Sequence, residues 1–208
     1  MSSGIPIIAI DTGVSGADVT SFVATDNYAV AKVQGAIAAT LVNDGDTVIY
    51  VTGNQAQSTG QERRNGFMEA FSAARPGSKI LEVPTEWNSQ QAQEGVEAVL
   101  NSNSDVKMVV NAWDGGTMGA KAALENLGYS AGDVKLVGFD GASDAIAAMD
   151  EGWVHADTAQ MLYQMGYQGI KAAAAAARGE TVSSRIDTGF FLVTPSTSGV
   201  YKKMVGIN

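Results

Sequence analysis

Seven side chains that can bind a polar ligand lie at or near the ends of apolar segments along the chain. They are Asp11, Arg63, Trp87, Trp113, Asp114, Asp140 and Gln160. A sugar hydroxyl both donates and accepts hydrogen bonds, so carboxylates, a guanidinium and an amide can each pair with it. Aromatic rings can cover the apolar C–H face of a sugar ring. This set of residue types therefore indicates a pocket for a small sugar or polyol.

The residues that a reaction would require do not accompany this set. The sequence has no cysteine and one histidine, His155, which excludes a thiolate nucleophile and a multi-histidine metal site. It contains no phosphate-binding loop of the P-loop type and no dinucleotide-binding glycine motif. Because no activated nucleophile or acid–base pair is evident, the interpretation is a binding protein rather than an enzyme, with no cofactor.

The segments that must position these side chains alternate between two patterns. Short apolar runs rich in β-branched residues predict strands, and longer Ala-rich segments with apolar residues every three or four positions predict helices. The predicted strands cover residues 5–10, 47–52, 79–83, 107–111, 134–139, 156–159 and 189–193. The predicted helices cover residues 27–42, 59–74, 89–101, 116–127, 143–151 and 161–178. This alternation predicts βαβ units in a parallel sheet, where ligands bind beyond the carboxyl ends of the strands.

Composition and charge narrow the class of protein. The 208 residues are 45% hydrophobic and 17% charged, as in an ordinary globular domain. Lys and Arg number 13 against 22 Asp and Glu, a net charge of −9. No basic cluster is present, so nucleic acid is not an expected partner. The first residues lack the basic and apolar regions of a signal peptide, so we expect the chain as given to stay in the cytoplasm as made.

Several segments resemble the periplasmic sugar-binding proteins of the ribose-binding type, which serve ABC transporters. Residues 4–11 (GIPIIAID) resemble the strand that ends their N-terminal lobe, and residues 25–28 (TDNY) resemble the start of their second lobe. Residues 62–67 (ERRNGF) resemble a ligand-binding helix, and residues 137–141 (VGFDG) and 159–160 (AQ) resemble late ligand-contact segments. These matches occur in the same order and at compatible spacings over nearly the whole chain.

The resemblance implies a type I periplasmic binding protein, with two α/β lobes that close on a ligand. Residues 26–157 then form a complete C-terminal lobe with a flavodoxin-like or Rossmann-like parallel sheet. Residues 1–25 and 158–208 are expected to form an incomplete remnant of the N-terminal lobe, with hinge segments and a C-terminal tail. Such a truncated chain is expected to bind sugar weakly, since half the pocket wall is missing, and to self-associate as a dimer through the remnant. The parent is expected to be exported and to work with a membrane permease.

The resemblance also implies roles for individual residues. The positions that contact the sugar in that family are occupied here by Asp11, Arg63, Trp87, Asp140 and Gln160. Phe139 lies beside them and is expected to stack on the sugar ring or to form the pocket wall. Two positions depart from the family pattern, because Thr12 replaces a frequent arginine and Trp113 replaces a common asparagine. These changes remove hydrogen bonds and add a stacking face, so the ligand is expected to be less hydroxylated than ribose or shaped differently.

Two other readings of the sequence stay open at this point. The effector-binding core of a LacI-type repressor shares the fold, although residues 43–47 (NDGDT) stand where such cores carry an LGHRRIA-like segment. A flavodoxin-like redox protein is the other alternative, because residues 51–54 (VTGN) faintly resemble its phosphate loop. Residues 55–58 delay the helix that should follow such a loop. Bound flavin would colour the protein yellow, so one absorbance spectrum tests that alternative.

Overall fold

The computed structural model describes residues 4–14 and 16–207, which form nine strands and seven helices around two sheets. The strands are β1 (Ile8–Ile10), β2 (Ser21–Ala24), β3 (Thr47–Val51), β4 (Lys79–Val83), β5 (Val106–Asn111), β6 (Lys135–Asp140), β7 (Val154–Gln160), β8 (Arg185–Asp187) and β9 (Phe190–Val193). The helices are α1 (Asn27–Thr40), α2 (Ser58–Ala74), α3 (Ser89–Ser102), α4 (Asp114–Asn126), α5 (Ser143–Asp150), α6 (Leu162–Ala177) and α7 (Ser198–Val205).

The larger sheet has the strand order β4-β3-β5-β6-β7-β9. Its first five strands are parallel, and β9 pairs antiparallel with β7, with Leu192 opposite Thr158. All five residues of β3 are buried, which explains why this strand reads as a continuous apolar run rather than an alternating one. The carboxyl ends of β3 to β7 consequently meet at one edge of the sheet.

Helices cover both faces of this sheet. In β6, Phe139 packs against Val30 and Ala31 of α1, while the neighbouring Gly138 faces Asp114 and Thr117 of α4. Since consecutive strand residues point to opposite faces, α1 and α4 lie on opposite sides. The fold class predicted from the sequence, a parallel α/β sheet with a smaller second part, is confirmed.

Helices α1 and α2 approach each other closely because glycines lie at their contact. A Cβ atom placed on Gly66 would lie 2.3 Å from the carbonyl oxygen of Tyr28, and one on Gly35 would lie 2.8 Å from that of Phe67. Both distances are shorter than atoms can tolerate, so the contact requires glycine at both positions. The helix pair in turn fixes the start of α1 against the middle of α2.

The smaller sheet is parallel throughout and has the order β1-β2-β8. Helix α6 packs on it, burying Met165 and Ala172 beside Val23. The opposite side of α6 leaves Tyr163 and Ile170 exposed. Among residues 4–14 and 16–207, none of the helices combines the length and apolar content needed to cross a bilayer.

Within the described residues the chain passes between the two sheets three times. The crossings are residues 24–27 from β2 to α1, residues 160–162 from β7 to α6, and residues 187–190 from β8 to β9. Asp187 ties the first crossing to the third, because its Oδ1 atom accepts hydrogen bonds from the backbone N–H groups of Asp26 (3.2 Å) and Gly189 (3.0 Å).

The C-terminal segment differs from its expected assignment. The strand expected near residues 189–193 was placed with the smaller lobe, but β9 completes the larger sheet beside β7. Tyr201 of α7 fastens this segment to the larger sheet, since its hydroxyl donates to the carbonyl oxygen of Gly141 (2.9 Å). Residues 190–205 therefore belong to the larger unit, while the remainder of the two-lobe division stays a prediction. Strands β2 and β8 and helix α7 were not predicted.

Candidate functional site

A cavity of about 290 Å³ opens at the carboxyl ends of the strands. It is lined by Asp11, Thr12, Gln57, Thr59, Arg63, Trp87, Trp113, Asp140 and Gln160. Asp11 directly follows β1 of the smaller sheet, whereas Asp140 and Gln160 end β6 and β7 of the larger one. The cavity thus receives residues from both sheets, and it gathers six of the seven side chains predicted from the sequence.

Arg63 is the most extensively bonded side chain of the cavity, and its side chain is 3% exposed. Its Nε atom donates to Oδ1 of Asn27 at 2.8 Å, and Nη1 donates to the carbonyl oxygen of Ala112 at 2.7 Å. Nη1 also forms an ion pair with Oδ1 of Asp140 at 3.0 Å. These bonds hold the guanidinium in one orientation before any ligand arrives.

Asp140 connects Arg63 to Gln160. Its Oδ1 atom accepts from Nε2 of Gln160 at 2.8 Å as well as from Arg63. Burial raises the pKa of Asp140, while the positive charge of Arg63 and the hydrogen bond from Gln160 oppose this rise. The three side chains form a connected polar surface that can both donate to and accept from hydroxyl groups.

Two indole rings form the aromatic part of the cavity. Trp87 and Trp113 meet edge to face, with ring centroids 5.3 Å apart. The Trp87 Nε1 atom donates to Oε1 of Gln57 at 2.7 Å. A Cβ atom on Gly53 would lie 2.0 Å from the Trp87 ring, so glycine is needed there for the ring to occupy its place. Edge-to-face rings leave a face of one indole free to cover an apolar surface.

Phe139, which the family resemblance predicts as a site residue, lies outside the cavity. Its side chain is fully buried and packs against Val30 and Ala31. The guanidinium carbon of Arg63 lies 3.9 Å from the centre of its ring. Phe139 therefore packs against the Arg63 guanidinium instead of forming the pocket wall. It can do so because it lies on the face of β6 that α1 covers, opposite to the face of Gly138.

Backbone conformation sets three cavity residues apart. Within the described residues, the non-glycine positions with positive φ are Asp11 (70°), Trp87 (59°) and Asp140 (121°), and all three line the cavity. Such conformations cost about 1–3 kcal/mol each and occur mainly where the surrounding structure imposes them. Their coincidence at one cavity supports a functional role for it.

Sequence reasoning missed several residues that shape the cavity. Gln57 lies in the segment (residues 55–58) that delays the predicted helix, and Thr59 is the first residue of that predicted helix. Asn27 lies in a family-like segment, but no role is predicted for it. Thr12 is treated in the sequence only as the replacement of a frequent arginine. In the structure its hydroxyl donates to Oδ2 of Asp11 at 3.0 Å. The glutamine-rich stretch between β3 and α2 was the available signal for Gln57, because loops after parallel strands face the ligand edge.

Two buried carboxyl groups lie beneath the cavity. Asp114 begins α4, and its Oδ1 and Oδ2 atoms accept from the backbone N–H groups of Phe139 (3.2 Å) and Ala142 (2.7 Å). Asp157 lies in the middle of β7 and is fully buried. Burial raises the pKa of Asp114 well above its usual value and that of Asp157 to about 7, and each group is further affected by neighbouring charges. Asp114 belongs to the set predicted from the sequence, although it does not line the cavity, whereas Asp157 was not predicted.

Comparison with known proteins matches residues 1–181 to the family described as "Periplasmic binding protein domain". The chain is 30% identical over 191 residues to "Ribose import binding protein RbsB" of Escherichia coli, covering 92% of this chain and 64% of that protein. It is 34% identical over 158 residues to the "D-allose-binding periplasmic protein" of Escherichia coli, covering 76% of this chain and 50% of that protein.

A solved structure supports the same assignment. An ABC transporter solute binding protein from Bacillus halodurans, with bound myo-inositol, superposes with a TM-score of 0.90 at 27% identity, covering 97% of this chain and 70% of that one. The chain spans less than two thirds of the length of the curated ribose-binding relative. The resemblance seen in the sequence is confirmed, and the chain belongs to the periplasmic binding protein domain family.

Proposed function

We propose that this chain is the sugar-binding part of a substrate-binding protein for an ABC transporter, and that it binds one monosaccharide or polyol without turnover. The single observation that carries the proposal is the cavity itself, in which Arg63, Asp140 and Gln160 are bonded together beside two indole rings. The names of the relatives refer to ribose and allose, and one related structure holds myo-inositol. These ligands share the hydroxyl-rich ring that such a cavity suits.

The arrangement supports ligand binding by side chains that are already oriented, without a chemical reaction on the ligand. Arg63 and Asp140 are already fixed by partners in the chain, so little freedom is lost when a ligand hydroxyl bonds to them. Asp11 supplies a second carboxylate from the smaller sheet. Trp87 and Trp113 favour a ligand with an apolar face, which supports a sugar less hydroxylated than ribose or shaped differently. We propose that the whole protein works outside the cytoplasm and that it delivers its ligand to a membrane permease.

Separate titrations of D-ribose, D-allose and myo-inositol are expected to give a saturable change in tryptophan emission with at least one of them. Two tryptophans, Trp87 and Trp113, line the cavity. Substitution Asp140→Asn is expected to weaken that binding about 10- to 100-fold, because a hydrogen bond to a charged group contributes about 1.5–3 kcal/mol. Calorimetry on both proteins measures the difference.

The matched control is Trp153→Phe, since Trp153 is buried away from the cavity lining. This variant should keep both the emission change and the affinity. A flat titration with all three compounds would count against a hydroxyl-rich ring as the ligand, and equal affinity in the Asp140→Asn variant would count against this cavity as the site.

We further propose that two copies of this chain associate through the smaller sheet and α6, within residues 4–22 and 158–193. Two features support this partner. Strands β1 and β8 are the edges of the three-stranded sheet, and unpaired edges can pair with another chain. The outer side of α6 also carries exposed apolar residues, Tyr163 at 80% and Ile170 at 70%, and apolar patches of this kind favour protein association.

Light scattering over a dilution series is expected to show a mass near twice that of the monomer, falling on dilution. The double variant Tyr163→Glu/Ile170→Glu should stay monomeric at all concentrations, because it places charges in the proposed interface. Val200→Glu is the control, since Val200 is also a largely exposed apolar residue (60%), on α7 and outside that interface. A monomeric wild-type chain at high concentration would contradict the association.

A further inference from the structure

Asp114 and Asp157 converge on a single glycine beneath the cavity. Gly138 of β6 pairs with Asp157 of β7 across the sheet. A Cβ atom on Gly138 would lie 2.4 Å from Oδ2 of Asp157 and 2.6 Å from Oδ1 of Asp114. Any side chain at this position would displace both carboxyl groups, so glycine provides the space in which they meet.

The two carboxyl groups have different surroundings. Asp114 accepts two backbone N–H groups and the hydroxyl of Thr117 (3.4 Å). Neither oxygen of Asp157 has a hydrogen-bond partner among the other described residues, although the side chain is fully buried. Two buried carboxylates side by side cannot both stay ionised. One proton shared by the two groups removes one charge and lets one carboxyl donate a hydrogen bond to the other. That hydrogen bond raises the pKa of Asp114 and lowers that of Asp157, so the proton is not confined to Asp157.

Asp114 accepts hydrogen bonds from the two residues that flank the turn carrying Asp140. Its bonds to Phe139 N and Ala142 N bracket Asp140 and Gly141, which both have positive φ (121° and 77°). Asp114 therefore fixes the ends of the short turn that carries the ligand-facing carboxylate. The turn keeps its shape only while the Asp114 carboxylate stays in place as an acceptor.

We propose that Asp157 is a positioning residue, which shares one proton with Asp114 at neutral pH and thereby holds the turn at residues 139–142 so that Asp140 faces the ligand. The role of this turn in sugar affinity rests on the proposed function, whereas the shared proton does not. Asp157 does not line the cavity, and it acts on the turn through Asp114 and through the neighbouring backbone N–H of Gly141. Loss of its proton would bring a second negative charge against Asp114 and loosen the turn.

The charged and titratable groups that face the pair define its pH dependence. Besides Asp114, they are Asp140 of β6, Arg63 of α2 and Tyr201 of α7. Burial raises the pKa of Tyr201 to about 12, so Tyr201 stays neutral over the relevant range. The Arg63 charge is already paired with Asp140, which leaves the proton as the principal compensation for Asp157.

The sign of the effect on stability follows from the raised pKa. An unfolded aspartate titrates near about 4, whereas Asp157 titrates at about 7 in the folded chain. Between these values the folded chain keeps a proton that the unfolded chain has lost. The free energy of unfolding therefore falls as pH rises through this window, and sugar affinity should fall as pH rises above about 7.

Three measurements without ligand test the shared proton, using Asp157→Asn, whose amide can still donate to Asp114 but cannot ionise. Wild-type protein at neutral pH should show the infrared carbonyl band of a protonated carboxylic acid, and the variant should lack it. The pH slope of wild-type unfolding should exceed that of the variant by up to one proton per chain. The amide resonances of Phe139 and Ala142 should shift with pH in the wild type alone.

Asp144→Asn is the control, because Asp144 is an exposed carboxylate at the start of α5 and should leave all three measurements unchanged. If Asp157→Asn does not fold, Asp157→Thr retains a hydroxyl donor on a strand-favouring side chain. The same infrared band and unfolding slope in wild type and variant would overturn the shared proton. If the amide resonances of Phe139 and Ala142 do not shift with pH in the wild type, the positioning role is overturned.

Sugar titrations from pH 6 to 9 test the link to binding. Wild-type affinity should fall by up to about tenfold per pH unit above the Asp157 pKa, as expected for linkage to one proton. The affinity of Asp157→Asn should change little over the same range. An equal fall in both proteins would overturn the positioning role. Absence of sugar binding at every pH would instead contradict the proposed function, and the ligand-free measurements would still decide the shared proton.

Discussion

Replacement of Arg63 by alanine is expected to lower the free energy of unfolding by about 3–5 kcal/mol and to abolish measurable sugar binding. The guanidinium is buried and bonded to Asn27, Ala112 and Asp140. Its removal leaves a largely buried carboxylate and two other acceptors without their donor, and unsatisfied buried groups carry the full cost of desolvation. Chemical denaturation measures the first effect, and calorimetry the second.

The neighbouring residue offers a matched control. Arg64 lies on the same helix and forms a two-bond ion pair with Glu82 (2.5 and 2.6 Å), but both side chains are 35% exposed. Exposed pairs contribute about 0–1 kcal/mol, so Arg64→Ala should change stability little and leave binding intact. The double variant Arg63→Ala/Asp140→Ala should recover part of the lost stability, since it removes the unpaired charge. Equal losses for Arg63→Ala and Arg64→Ala would refute the central role of Arg63.

Replacement of Gly66 by alanine is expected to destabilise the protein by about 1–3 kcal/mol, as overpacking of a close contact does. The new methyl group would press against the carbonyl oxygen of Tyr28 and force α2 away from α1. This movement would also stretch the 2.8 Å bond from Arg63 to Asn27, so sugar affinity should fall together with stability.

Gly166→Ala tests whether the loss comes from the contact rather than from the substitution itself. Gly166 also lies within a helix, α6, but a Cβ atom there meets nothing within 4 Å. Alanine at an open helical position should stabilise by about 0.5–1 kcal/mol. Thermal unfolding of the two variants should therefore shift in opposite directions. A stabilised Gly66→Ala variant would show that the two helices can separate without cost.

The elements that could be predicted from the sequence are those with long, unambiguous patterns. The continuous apolar run of β3 predicts that strand. A glycine or proline shortly after α2, α4, α5 and α6 predicts where each of these helices ends. Strand β2 has four residues and β8 has three, which is too short for a periodicity to be recognised. Pairing with neighbours far along the chain stabilises both, and such pairing leaves no local signal.

The site was predictable where a polar residue directly follows an apolar strand, as Asp11, Asp140 and Gln160 do. The direction of Phe139 could have been predicted too, because the alternation of strand side chains separates it from Gly138. Asp157 is different, since an acidic residue within a strand normally suggests an exposed face. Its burial depends on the space left by Gly138 and on the helix α4, and neither follows from residues near it in the sequence.

If the two sheets rotate relative to each other, the three chain crossings act as the hinge. The parts of the larger sheet farthest from these crossings then move most. Because Asp187 fastens two of these junctions together, a rotation about the junctions would disturb the chain less than sliding would. Gln160 stands at one junction, whereas Trp87 follows β4, four strands away in the sheet. At about 4.8 Å per strand the end of β4 lies roughly 19 Å from β7, so a rotation of about 10° would move that end of the sheet by about 3 Å. A label on the loop after β4 would therefore report such a rotation, with Gln160 as the nearly stationary reference.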